Sequence, residues 1–142
     1  MAVTITPVGS DKKAFGRFQQ LPYRIYQDDP DYVFPLLDEQ KHFFDRKKNP
    51  YWKHAEAELW LAERDGRVVG RIGACIDTHS NDHHDEQVGF FGFYENDDDP
   101  EAAKALLAEA GEQVILLDIR RDHVAAVNTD GLTIDKEGSR RR

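Results

Sequence analysis

Residues 55–76 read AEAELWLAERDGRVVGRIGACI, and the reading of this stretch decides the fold. From Ala55 the apolar residues recur every second position. Ala57, Leu59 and Leu61 fall on one side of an extended chain, and Glu58, Trp60 and Ala62 on the other. Asp65-Gly66 follows, a pair suited to a two-residue hairpin turn because both central residues of such a turn need positive φ. Val68 to Ile76 supplies the returning strand, so the spacing predicts an antiparallel pair.

Downstream, Thr78 to Glu86 is polar and dense in His and Asp, which reads as a loop before a strand over Gln87 to Tyr94. A three-stranded meander results. Asp99-Pro100-Glu101 then combines a cap, a first-turn proline and favourable acidic charge, and Ala102, Ala103, Leu106, Leu107 and Ala110 share one face of the helix it starts. Val114 to Ile119 is expected to form a last strand, parallel to the end of the meander after a right-handed helical crossover.

Upstream, Val3 to Thr6 reads as a short strand ended by Pro7 and Gly9, with Ser10 capping a helix that begins at Asp11. Phe15, Phe18, Leu21 and Ile25 have helical spacing, and Pro22 is expected to kink or split that helix near Gln19. Pro35 opens a second helix carrying Leu36, Leu37, Gln40, Phe43 and Phe44, ended by Asn49 and Pro50. The fold class is therefore α/β (α+β): a mixed sheet in the order β-α-α-β-β-β-α-β over residues 1–119, and a polar tail over 120–142 expected to be poorly ordered.

The 142 residues suit one domain, with 39% apolar, 11% aromatic and 32% charged residues. The single Cys75 excludes an intramolecular disulfide framework and a four-cysteine metal site, which fits a reducing, cytoplasmic setting. No apolar run reaches the roughly 20 residues of a membrane span. A net charge of -8 opposes binding to nucleic acid.

The local sequence FFDRKKNPYWKHAEAELWLAERDGRVVGRIGA, followed by QVGFFGFYENDDDPEAAKALLAEA, resembles the start of long, uncharacterised bacterial proteins related to the GNAT superfamily of N-acetyltransferases. The resemblance covers about Pro35 to Ala110. It implies a GNAT-like domain, incomplete at its C-terminus because the chain diverges near Gly111, and an activity that transfers an acyl group to a small-molecule or peptide amine. It also implies acetyl-CoA as the cofactor, with Gly92, Phe93, Tyr94 and Asn96 on the cofactor side. Glu56 and Glu58, two apart on one strand face, match the arrangement of a base that deprotonates an amine through water. The solvent-facing stripe is the plainer reading of that pair.

The chain departs from the family where a diphosphate normally meets unpaired helix amides. Its turn reads Glu95-Asn96-Asp97-Asp98-Asp99, without Gly, Lys or Arg, and Glu101 follows. Like charges ~6 Å apart repel by about 2–3 kcal/mol at an effective dielectric of 20, before salt screening. The competing expectation is thus a non-catalytic assembly module that forms a homo-oligomer through an exposed sheet edge.

Other constellations have plainer readings. His79, Asp82, His83, His84, Asp85 and Glu86 hold metal-type ligands, but a solvated loop explains them, and no metal is expected. His42 and His54 flank Phe43, Phe44, Tyr51 and Trp52, and either suits a general base if it faces a cleft; packing or surface positions are the plainer reading. Cys75 reads as a small buried residue, and Arg46-Lys47-Lys48 as a basic helix end rather than an anion site. Gly89 and Gly92 allow close backbone approach, by a ligand or at a bulge.

Overall fold

In the computed structural model, which describes residues 2–121 together with 133–134 and 140–141, the hairpin forms as its sequence predicts. Asp65 and Gly66 both take positive φ, 54° and 76°, and join strand β2 (Ala55–Arg64) to β3 (Arg67–Asp77). Strand β1 (Thr4–Pro7) pairs with β2, and β4 (Phe90–Asn96) with β3, giving an antiparallel sheet in the order β1-β2-β3-β4. Pro7 is tolerated because β1 is an edge strand, where a missing N–H breaks no ladder.

Both faces of the sheet are covered, which is why Trp60, Leu61 and Ala62 are buried in succession. Helix α4 (Pro100–Arg121) packs Ala102, Leu106 and Ala110 on Trp60, Ala62, Val69, Ile72 and Ala74. Helix α1 (Lys12–Ile25) packs Ala14 and Phe18 on Leu61 and Val8. Each fully buried Leu or Phe contributes about 1.5–3 kcal/mol relative to leaving it in water.

Helix α1 runs unbroken through the buried Pro22, contrary to the expected split. Proline removes the N–H that would bond to the carbonyl four residues earlier, that of Phe18. Arg71, 3% exposed on β3, replaces it: its Nη1 donates to Phe18 O at 2.7 Å, and its guanidinium lies 4.6 Å from the Phe18 ring centre. A donor from the sheet thus repairs the helix. Asp11, not Ser10, caps α1, accepting from Lys13 N and Ala14 N.

Helix α2 spans Leu37–Phe43, starting later than Pro35 because Tyr23 Oη donates to the Pro35 carbonyl and the chain there stays extended. A 3₁₀ turn over Pro50–Lys53, capped by Asn49, leads into β2. Two further expectations are corrected. The polar stretch after β3 contains a helix, α3 (Thr78–His84), capped by Asp77 and closed by Asp85 in the left-handed region. Val114 to Ile119 is helical and forms no strand, because Ala102, Leu106, Ala110 and Val114 continue one stripe with no stop signal.

Of the tail, 120–142, the end of α4 is described, and strands β5 (Thr133–Ile134) and β6 (Arg140–Arg141), which pair antiparallel. The expectation for the rest of the tail lies outside the described residues. Among the described residues no helix is long and apolar enough to cross a membrane.

Candidate functional site

Alternation along β2 and β3 sends Ala57, Leu59, Gly73 and Cys75 to the α1 side of the sheet. These short side chains floor a cleft of about 240 Å³. Its walls are aromatic: Phe43 of α2 and Phe44 at its C-cap, Tyr51 and Trp52 from the 3₁₀ turn, and Phe90, Phe91 and Phe93 from β4. The Phe43 carbonyl accepts from Trp52 Nε1 at 2.7 Å and Asn49 Nδ2 at 2.8 Å, which ties α2 to the turn. Phe90, Phe91 and Phe93 are 50%, 63% and 40% exposed, unusual for phenylalanines in one short strand.

A bulge aims these rings. Gly73 pairs with Gly92 and Arg71 with Glu95, so Phe93 and Tyr94 stand together opposite Ile72. Phe93 takes φ 54°, a conformation that costs an aromatic residue about 1–3 kcal/mol. Arg71 Nε holds it there by donating to Phe93 O at 2.9 Å, so the group that repairs α1 also shapes the cleft. A Cβ added to Gly92 would meet open space, whereas Gly89 lies tight against Val114 of α4.

Phe44, Trp52, Ala57 and Leu59 also line a larger, more polar groove of about 990 Å³ that runs along α1 past Lys12, Lys41 and Arg46. Arg46 is fixed at its edge, donating to Ala57 O at 2.6 Å with its guanidinium 5.7 Å from the Trp52 ring centre.

The acidic turn before α4 is partly neutralised by arginines of the chain. Arg24 grips Asp97 through two hydrogen bonds, of 2.9 and 3.1 Å. Arg64 does the same to Asp99, also 2.9 and 3.1 Å, and reaches Glu101 at 2.9 Å. Tyr26 Oη donates to Glu95 at 2.6 Å, which pushes the phenol up to about 12, with burial adding to the shift. Asp99 caps α4 by accepting from Ala102 N at 3.1 Å. Its carboxyl is held below the usual range, first by Arg64 and then by that amide. A carboxylate of the chain therefore occupies the helix start where a ligand anion would sit, and the residues here do not fit the diphosphate of acetyl-CoA.

Behind Tyr51 and Cys75 of the cleft lining lies a polar cluster. Tyr51 Oη is 3.7 Å from Cys75 Sγ, and burial, then its bond with Cys75, pushes the phenol up, with Asp77 adding to the shift. Asp77 Oδ1 is 2.9 Å from His54 Nδ1, and it also caps α3 through Ser80 N at 3.2 Å. Burial opposes charge on Asp77, but the His54 and Ser80 bonds outweigh it and the carboxyl stays low. Burial pushes the Cys75 thiol up.

The sequence-predicted residues separate. Gly92 and Phe93 line the cleft, and Tyr94 stands beside them in the bulge. Asn96 folds inward, its Nδ2 donating to Asp97 O and Asp99 O at 2.6 and 3.0 Å. Glu56 and Glu58 alternate onto the opposite sheet face from Ala57 and Leu59, and neither lines the cleft. His79 stacks on His54 at 4.0 Å, and among the described residues no three His, Cys, Asp or Glu gather to hold a metal. The pairing of His54 with Asp77 was not legible as a site, because the residues lie at opposite ends of a hairpin; its length and Asp65-Gly66 turn carry the register that joins them.

A solved structure of a tandem GNAT protein from the clavulanic acid biosynthesis pathway matches 94% of this chain and 45% of its own, with a TM-score of 0.62 at 15% identity. The fold is GNAT-like. Two curated relatives match in sequence. A protein named bacterial ceramide synthase, from Caulobacter vibrioides, is 35% identical over 122 residues, 85% of this chain and 31% of its own. Protein YghO of Escherichia coli is 37% identical over 101 residues, 71% of this chain and 25% of its own. The chain thus spans about a third or less of the length of these relatives. No family model matches it.

Proposed function

We propose that this chain is the amine-receiving part of an N-acyltransferase whose acceptor carries a long apolar tail. The aromatic cleft carries the reading: seven rings around a floor of Ala57, Leu59 and Gly73, too apolar for a polar metabolite. The GNAT-like fold supports acyl transfer, and the relative named bacterial ceramide synthase supports a lipid acceptor, since a ceramide is the amide of a fatty acid and a long-chain amino alcohol. In this reaction the amine attacks the carbonyl carbon of an activated acyl group, the C–N bond forms and the bond to the leaving group breaks. Gly92, Phe93 and Tyr94 stay in the reading as backbone contacts along β4. The acyl carrier is left open, because the acidic turn does not fit a diphosphate.

Calorimetric titration with straight-chain primary amines tests it. Each methylene entering the cleft contributes about 0.8 kcal/mol, so affinity rises about fourfold per carbon until the cleft is full. Gly92→Trp, which fills the open space beside that residue, should flatten the series. Affinity indifferent to chain length in the unmodified protein removes the reading.

A second reading is favoured by the exposure of Phe90, Phe91 and Phe93 on edge strand β4: an assembly module that adds a strand there. It predicts oligomers by light scattering that Phe91→Lys dissolves; a monomer at high concentration rejects it.

A further inference from the structure

We propose that His54, held by Asp77 beside the Tyr51 wall of the aromatic cleft, takes the proton from the acceptor's ammonium group; this rests on reading the cleft as the amine's site. The dyad has the geometry for it. The contact of Asp77 Oδ1 with His54 Nδ1, 2.9 Å, keeps the proton on Nδ1 and leaves the Nε2 lone pair for a substrate. His79 stacks flat on the imidazole, 4.0 Å away and 5° from parallel, while Tyr51 meets its edge, so the ring is held on two sides. His54 is a quarter exposed and Asp77 less, which admits a ligand atom yet limits screening.

A continuous path joins the dyad to the cleft. Tyr51 and Cys75 line the cleft, and the Tyr51 ring, whose hydroxyl is 3.7 Å from the Cys75 thiol, meets the His54 ring edge-on at 5.1 Å. The titratable groups facing His54 are Asp77 from β3, Tyr51 from the 3₁₀ turn and His79 from α3. Of these, Asp77 is the anion that stabilises an imidazolium. An amine with its tail among Phe43, Trp52 and Phe91 has a charged head to accommodate at one end, and this cluster is a polar group adjoining the apolar wall. Glu56 and Glu58 lie on the other face of the sheet.

In the step itself, Nε2 accepts one proton from the ammonium, and the neutral amine attacks the carbonyl carbon of an acyl thioester. The C–N bond forms, the C–S bond breaks and the amine's second proton leaves with the thiolate, as the thiol. The imidazolium then returns its proton to water.

The ordinary alternative is that the dyad only pins the sheet end to α3, since Asp77 also caps that helix and Thr78 Oγ1 donates to His54 O at 2.7 Å. Dodecylamine and dodecanol separate the two roles. On the full chain, dodecylamine should move both the His54 ring signals and the Trp52 indole signal in NMR spectra. Movement of Trp52 alone overturns the inference and spares the cleft; movement of neither sinks both.

Asp77→Asn keeps a good cap and a bond to Nδ1–H but removes the charge. It and His54→Gln should each weaken dodecylamine binding about tenfold, the scale of one charge-assisted hydrogen bond, and leave dodecanol binding unchanged. Equal effects on amine and alcohol, or none on either, assign the dyad to structure alone.

Discussion

Arg71 and Pro22 should be energetically coupled although they lie on different elements. Proline at position 22 leaves the Phe18 carbonyl without its helical donor, and Arg71 Nη1 serves it at 2.7 Å while Nε serves Phe93 O at 2.9 Å. Arg71→Met keeps most of the side chain's bulk and orphans both acceptors. Each buried orphan costs about 1–3 kcal/mol, and the lost contact with the Phe18 ring about 0.5–2 kcal/mol. Against this, the variant no longer holds a guanidinium out of water. A net destabilisation of about 2–4 kcal/mol is expected.

In a Pro22→Ala background the backbone N–H restored at that position can bond to Phe18 O, so Arg71→Met should cost about 1–1.5 kcal/mol less there, the worth of one hydrogen bond. Urea unfolding of the four proteins, followed by Trp52 and Trp60 fluorescence at matched slopes, measures the cycle. Additivity within about 0.3 kcal/mol would falsify the claim that the sheet completes the helix.

Gly70→Ala should destabilise by about 1–3 kcal/mol through overpacking, because the new Cβ would lie 2.8 Å from Leu106 Cδ1 and tighter still against Asn96 Oδ1. A thermal midpoint equal to the parent's would show that this corner of the core has room. Stability should also fall at both ends of the pH scale. Asp99 and Glu101 are held low chiefly by Arg64, so the folded state binds fewer protons than the unfolded one. Their contribution is full above the unfolded values near 4 and is lost as pH falls through the folded values. Tyr26 is raised to about 12 by its bond to Glu95, so its contribution is full below about pH 10 and is lost as pH rises toward 12. Urea midpoints across pH should show both limbs. Arg64→Gln should flatten the acid one and Tyr26→Phe the alkaline one; unchanged slopes would contradict the assignment.

What the sequence determined by itself was local and periodic. The alternation from Ala55 and the Asp65-Gly66 turn specify the hairpin, since a slip of one residue would turn Leu59 and Leu61 to the wrong face. Asp99-Pro100 specifies where α4 begins. Tertiary structure decided what depends on partners far along the chain. Val114 to Ile119 holds residues apt for either element, and the stripe from Ala102 through Val114 on the sheet makes it helix. The acidic turn reads as repulsive until Arg24 and Arg64, from α1 and β2, are brought against it. The same holds for the sites: Gly92 and Phe93 could be marked from their strand, whereas the cleft needs five elements to form, and a His54–Asp77 pair exists only once the hairpin sets its two ends side by side. Hydrogen bonds and ion pairs act over about 3 Å in space, and spacing along the chain does not encode that distance.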